Sequence, residues 1–165
     1  MRNSVTSTIA AGVLLALAGA AQAATKSDSF QVSATVSKNC IIDAPDLNLG
    51  TFDGTNDLTA NSTISVRCTS GTTYTVDLSA GSSTSYAART LVNGTDVLTY
   101  NLYTTGAHLT VWGDGTASTG RGAGTGAGMA TAQTLTVYGQ LLASNNTGPV
   151  AAGSYLDNLV ATITY

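Results

Sequence analysis

Apolar and polar side chains alternate repeatedly along the chain after residue 24. Alternation of this kind predicts half-buried β-strands, and no helical pattern of useful length interrupts it. Several short strands without helices are typical of an all-β sandwich, here with six or seven strands. The predicted strands contain Ile64-Ser65-Val66-Arg67-Cys68, Tyr74-Thr75-Val76-Asp77-Leu78, the run 97–103, Leu135-Thr136-Val137, and Leu159, Ala161, Ile163 and Tyr165.

Turn-forming residues separate these runs. Asn93-Gly94 lies between two apolar pairs and predicts a tight hairpin. Asp53-Gly54 and Asp114-Gly115 predict turns in which the carboxylate binds the local backbone. Pro45 predicts two short strands, one on each side of it. Residues 113–128 are rich in glycine and predict a long flexible loop or a hairpin tip.

Composition supports this interpretation and excludes some functions. The chain has 165 residues, of which 9% are charged, and its nine acidic residues are all Asp. Thr and Ser are abundant, which favours strands and turns over helices. The pI of about 4.6, without any cluster of Lys or Arg, excludes a nucleic-acid binder that uses a basic surface.

Residues 1–23 have the parts of a secretory signal peptide. Arg2 precedes an apolar core at residues 13–18, and Ala21-Gln22-Ala23 provides small residues for cleavage after Ala23. The alternative is a membrane anchor, but the apolar stretch 9–21 is short for a span of about 20 residues. The sequence therefore predicts export and a mature chain from Ala24 without a second hydrophobic span.

Two cysteines remain in the mature chain, Cys40 and Cys68. In an exported protein they favour a disulfide, and closing that loop stabilises a fold by roughly 3.5 kcal/mol in the chain-entropy model. The alternative is a metal site. Two thiols with one histidine in the whole chain, His108, make a poor zinc set, so the disulfide is preferred.

The residues needed for catalysis are sparse. A nucleophile requires a base, but the one histidine, His108, is predicted to be a polar residue of a loop or strand end. The Asp residues are scattered singly, and no phosphate-binding loop or calcium loop is found. We therefore predict no enzyme and no catalytic, cofactor-binding or metal-binding residues.

Residues 28–37 form an alternating segment before the first cysteine, with no turn signal linking it to a partner strand. Phe30, Val32, Ala34 and Val36 share one face, and Ser, Gln and Thr occupy the other. Two interpretations stand side by side. The segment is either the first strand of its own sandwich or a strand given to another molecule.

The mature chain resembles, over essentially its whole length, the spore coat protein U family of secreted pilins, in particular major subunits of archaic (Csu-type) chaperone–usher pili. The resemblance lies in Cys40-Ile41-Ile42, Leu47-Asn48-Leu49-Gly50, Ser65-Val66-Arg67-Cys68-Thr69, residues 98–103, Trp112-Gly113-Asp114-Gly115, Tyr138-Gly139-Gln140 and residues 153–165.

The resemblance implies an incomplete immunoglobulin-like sandwich, residues 40–165, that lacks its last strand. A periplasmic chaperone lends a strand, and at an outer-membrane usher the N-terminal segment of the next subunit replaces it. Residues 24–39 would then be the donor segment. Its groove-filling side chains would be Phe30, Val32, Ala34 and Val36. The acceptor groove would be bordered by Leu159, Ala161, Ile163 and Tyr165.

The expected function is a structural subunit of a surface fibre for adhesion and biofilm formation. Its expected partners are neighbouring copies of itself, the periplasmic chaperone and the usher, with no nucleic acid. One alternative is a component of a spore or cyst coat, assembled by the same chemistry. Another is a secreted monomer that binds carbohydrate on exposed aromatic rings such as Trp112.

Overall fold

The computed structural model describes residues 22–165. The predicted signal peptide lies outside the described residues except for Gln22 and Ala23. The chain divides between residues 35 and 36 into two units, each described by itself. Residues 22–35 contain no helix or strand, whereas Val36–Tyr165 contains all the described strands. No helix within residues 22–165 has the length and apolar character needed to cross a membrane.

Two open antiparallel sheets make up the second unit. The sheet orders are β1-β2-β7-β5-β4 and β6-β3-β8. Two short 3₁₀ turns are the helical segments of the described chain, so the predicted all-β, incomplete immunoglobulin-like fold is confirmed, with eight strands rather than six or seven. The strands are β1 Cys40–Asp43, β2 Leu58–Cys68, β3 Thr73–Leu78, β4 Arg89–Asn93, β5 Asp96–Tyr103, β6 Gly122–Thr125, β7 Gln133–Leu141 and β8 Ala161–Thr164.

The core forms where the inner faces of both sheets meet. Its members are the alternate apolar positions of the strands, because successive side chains of a strand point to opposite faces. Trp112 is buried among them, and its Nε1 donates a hydrogen bond to the carbonyl oxygen of Val76 at 2.8 Å. The other buried apolar residues are Ile64, Val66, Cys68, Tyr74, Val76, Leu78, Leu98, Tyr100, Leu102, Val137 and Leu141.

The turn predicted at Asp53-Gly54 is present, and the hairpin turn predicted at Asn93-Gly94 lies one residue further along the chain. The Asp53 carboxylate accepts hydrogen bonds from the backbone nitrogens of Thr55 and Asn56, both within 2.9 Å, and these bonds hold its pKa well below the usual range. In the hairpin, Asn93 pairs with Asp96 and therefore belongs to the strand. The turn consists of the next two residues, 94 and 95.

Two predicted strands are absent from the described chain. No strand follows Pro45 before residue 58, although Leu47 and Leu49 still pack against the core. The segment 28–37 also lacks strand structure. Alternation of apolar and polar residues is therefore not sufficient for a strand, because a strand also requires hydrogen bonds to a neighbouring strand.

The glycine-rich stretch 113–128, for which the sequence predicts a flexible loop or a hairpin tip, includes an ordered strand. Residues 122–125 form β6, which pairs with β3 in an ordered ladder. A Cβ atom on Gly122 would overlap the Trp112 ring, and one on Gly124 would overlap Tyr74. Glycine is therefore required there because it lets the backbone lie directly against two buried aromatic rings.

Candidate functional site

The last strand, β8, has one free edge. It pairs antiparallel with β3, with Ala161 opposite Leu78 and Ile163 opposite Val76. No other strand within residues 22–165 pairs with its opposite side. An edge of this kind exposes backbone groups that can pair with another chain.

The hydrogen bonds around β3 show which backbone groups face this edge. Ser79 N donates to Val160 O at 2.9 Å, whereas Leu78 N donates away from β8, to Gly113 O at 3.2 Å. Backbone groups of successive residues in a strand point to opposite sides of it. We infer that Val160, Thr162 and Thr164 bond toward β3. The N–H and C=O groups of Ala161 and Ile163 consequently face the free edge.

The same edge carries an apolar row of side chains. Leu159, Ala161 and Ile163 are half-buried against the core, while Tyr165 is 50% exposed. All four predicted groove residues therefore lie along the free edge, with the first three turned inward. The edge offers a partner both backbone hydrogen bonds and an apolar surface.

The predicted donor residues lie in the segment before β1. Phe30, Val32 and Val36 are 88%, 82% and 84% exposed, and Ala34 is exposed as well. Large apolar side chains are often buried in soluble proteins, although a single exposed one needs no explanation. If this segment were extended as a strand, side chains at these alternate positions would share one face.

The disulfide between Cys40 and Cys68 is present, as predicted. It joins the first residue of β1 to the last residue of β2, which lie opposite each other in the ladder. Beside it, Thr69 N donates to Asn39 O at 2.9 Å. The start of β1 is thus tied to a strand in the interior of the larger sheet, directly after the segment that carries the donor residues.

The aromatic and histidine candidates have structural roles. Trp112 is 2% exposed, so it provides no platform for a carbohydrate, and that part of the alternative interpretation is wrong. His108 lies in a loop, as predicted, with a positive φ of 54°. Its ring packs edge-on against Tyr103, with the ring centroids 5.1 Å apart.

Sequence analysis missed a polar cluster at the start of β8. The carboxylate of Asp157 accepts hydrogen bonds from Tyr100 Oη at 2.7 Å and from Ser82 N and Ser82 Oγ, each at 2.8 Å. Burial, assisted by the bond to Asp157, raises the pKa of Tyr100 far above its ordinary value. These partners are 57 and 75 residues from Asp157 in sequence, so no local motif announces them.

Arg89 lies in the same region and was also missed. It is fully buried, and burial lowers the pKa of its guanidinium. Its nitrogens donate to Ser79 O at 3.0 and 2.8 Å, to Trp112 O at 2.7 Å and to Asn101 Oδ1 at 2.8 Å. One side chain therefore joins β4, β5 and the residue that follows β3.

Comparison with known proteins agrees with this architecture. The family model described as Spore Coat Protein U domain matches residues 26–162. A solved structure also matches, with a TM-score of 0.58 and 24% identity. It is the CsuC–CsuE chaperone–tip adhesion subunit pre-assembly complex from archaic chaperone–usher Csu pili of Acinetobacter baumannii. The match covers 79% of this chain and 40% of that chain. No curated relative matches significantly.

Proposed function

This chain belongs to the Spore Coat Protein U domain family, and from that premise we propose that it is a structural subunit of a surface fibre. The observation that carries the proposal is the free edge of β8, where unpaired backbone groups accompany an apolar row of side chains. The resemblance found in the sequence supplies the mode of assembly. A strand from another molecule completes the sandwich at this edge.

The donor is the segment 28–37 of a neighbouring copy. Phe30, Val32, Ala34 and Val36 enter the apolar row, while main-chain groups pair with those of Ala161 and Ile163. Because donor and acceptor surfaces differ, the contact is heterologous and does not close on itself. Repetition of the contact produces a filament.

Burial of the donor face provides the driving force. Three of its four side chains are more than four-fifths exposed in the free segment. Covering the face contributes on the order of 5–8 kcal/mol from the hydrophobic effect, before the entropy lost on ordering the segment. Backbone hydrogen bonds along the added strand would further slow its release.

The free edge also explains the expected partners. An uncovered edge strand promotes aggregation, so a periplasmic chaperone would cover it until an outer-membrane usher exchanges it for the next subunit. The similar CsuE subunit was solved with the chaperone CsuC, which supports this route. In this proposal the chain acts outside the cell, in adhesion and biofilm formation, and as a structural protein rather than an enzyme.

A substitution in the donor face tests the proposal. Val32→Asp places a carboxylate on the apolar face, and Gln31→Asp, the matched control, places one on the polar face of the same segment. Loss of the valine burial plus desolvation of the charge costs at least about 3 kcal/mol, or roughly 100-fold in affinity. The measurement is binding of synthetic peptides of residues 26–38 to the refolded mature chain, alongside electron microscopy of fibres from cells expressing each variant.

We expect Val32→Asp to abolish peptide binding and fibres, whereas Gln31→Asp retains both. Normal fibres from Val32→Asp, or equal effects of the two substitutions, would show that this face is not the donor. Failure of the unsubstituted peptide to bind would contradict donor-strand assembly itself.

A further inference from the structure

The acceptor strand β8 is short and weakly supported. It has four residues and one neighbouring strand in the described chain. A slip of one residue would turn Ala161 and Ile163 to the opposite face and remove the apolar row. The half-buried face of β8 favours the observed register, and contacts outside this short ladder would strengthen that preference.

Three sets of hydrogen bonds, which we call ties, hold the residues just before β8. Leu156 exchanges two backbone hydrogen bonds with Val92 on β4, at 2.8 and 3.1 Å. The next residue, Asp157, binds Ser82 and Tyr100. Val160 then bonds to Ser79 through its carbonyl and, separately, through its N–H, which donates to Ser79 Oγ at 2.9 Å.

The last of these ties departs from an ordinary ladder. Ser79 O would normally accept from Val160 N, but two guanidinium nitrogens of Arg89 occupy it. The hydroxyl of Ser79 replaces it as the acceptor for Val160. A buried arginine thus immobilises Ser79, and Ser79 in turn holds the residue that precedes β8.

We infer that Asp157 is a positioning residue that fixes the register of β8, so that the acceptor edge is formed before a donor strand arrives. The inference rests on the proposed function. Asp157 accepts hydrogen bonds from two separate parts of the fold, the turn at Ser82 and strand β5 at Tyr100. An edge that is already ordered lowers the cost of ordering on binding, and this raises the association rate.

The experiment measures association of a labelled peptide of residues 26–38 with the refolded mature chain. We compare Asp157→Ala, Asp157→Asn, and Asp46→Ala as a control for loss of an exposed aspartate. If the competent register becomes a minor state, association with Asp157→Ala slows by about tenfold or more. Ser82 and Tyr100 bind different carboxylate oxygens of Asp157, so the single amide oxygen of Asp157→Asn keeps one of these contacts and recovers part of the rate. Asp46→Ala behaves as wild type.

Amide hydrogen exchange of the free chain distinguishes positioning from general stability. We expect Asp157→Ala to lose protection at the amides of Val160, Thr162 and Thr164, which face β3, while β2 and β7 keep theirs. Loss throughout the chain, or peptide association at the wild-type rate, would overturn the inference. If Asp157→Ala does not fold, Tyr100→Phe removes one tie and must show the same local loss. A wild-type chain that binds no peptide refutes the proposed function instead.

Discussion

Removal of the disulfide should have a large and calculable effect on stability. In the double variant Cys40→Ala/Cys68→Ala, the closed loop between positions 28 apart in sequence is opened. The chain-entropy model gives a loss of about 3.5 kcal/mol, a substantial part of the roughly 5–15 kcal/mol that stabilises a typical domain. The effect should centre on β1, which has four residue pairs with β2.

Urea unfolding, followed by tryptophan fluorescence, measures this loss. Trp112 is the single tryptophan and is buried in the core, so its emission reports on the packing of both sheets. With a denaturant slope of about 2 kcal/mol per molar urea, the unfolding midpoint should fall by about 1.5–2 M. Hydrogen exchange should show that β1 loses protection first.

Reduction of the wild-type chain provides the control for side-chain changes. Thiol reductant should lower the wild-type midpoint by a similar amount and leave the double variant unchanged. A shift below about 0.5 M in both experiments would refute the loop-entropy reasoning. It would mean that the unfolded chain is already restrained between residues 40 and 68.

Two further predictions concern the core. Gly122→Ala should lower the free energy of unfolding by about 1–3 kcal/mol, because its Cβ would overlap the Trp112 ring, whereas Gly148→Ala meets open space and should change little in the same urea assay. The raised pKa of Tyr100 implies that the folded chain holds this proton more tightly than the unfolded chain, so its contribution is complete below pH 10 and is lost as the pH rises above it. Tyr100→Phe should therefore lose less stability than wild type between about pH 9 and pH 11, and equal losses would contradict the assignment.

The strands could be predicted where burial follows the strand period. β3 and β8 are examples, because their inward residues are apolar and the others are polar. β6 could not be predicted in this way. Its residues show no alternation of apolar and polar side chains. Glycine is required there because the rings of Tyr74 and Trp112, which lie elsewhere in the sequence, leave no room for a Cβ atom.

The residues of the candidate site likewise fall into those that the sequence pattern reveals and those that depend on contacts between distant residues. The apolar row at Leu159, Ala161 and Ile163 is visible as alternation, and the cysteine pair follows from their number. No pattern in the sequence indicates the roles of Asp157 and Arg89. Their roles depend on backbone carbonyls and hydroxyls brought together by the fold, and residue types do not reveal which carbonyl lacks a partner.

Arg89 also restricts how sequences of this fold can diverge. Its charge has no carboxylate within hydrogen-bond distance among the described residues, and three backbone or amide oxygens satisfy it instead. Replacement of Arg89 by an apolar residue would leave the carbonyl oxygens of Ser79 and Trp112 without this donor, whereas Asn101 Oδ1 would still accept from the backbone nitrogen of Leu102. Asn101 is the one partner that binds through its side chain, so a second substitution at position 101 could compensate for that contact alone. The carbonyl oxygens of Ser79 and Trp112 belong to the backbone, and they require a donor at position 89 whatever residues surround them.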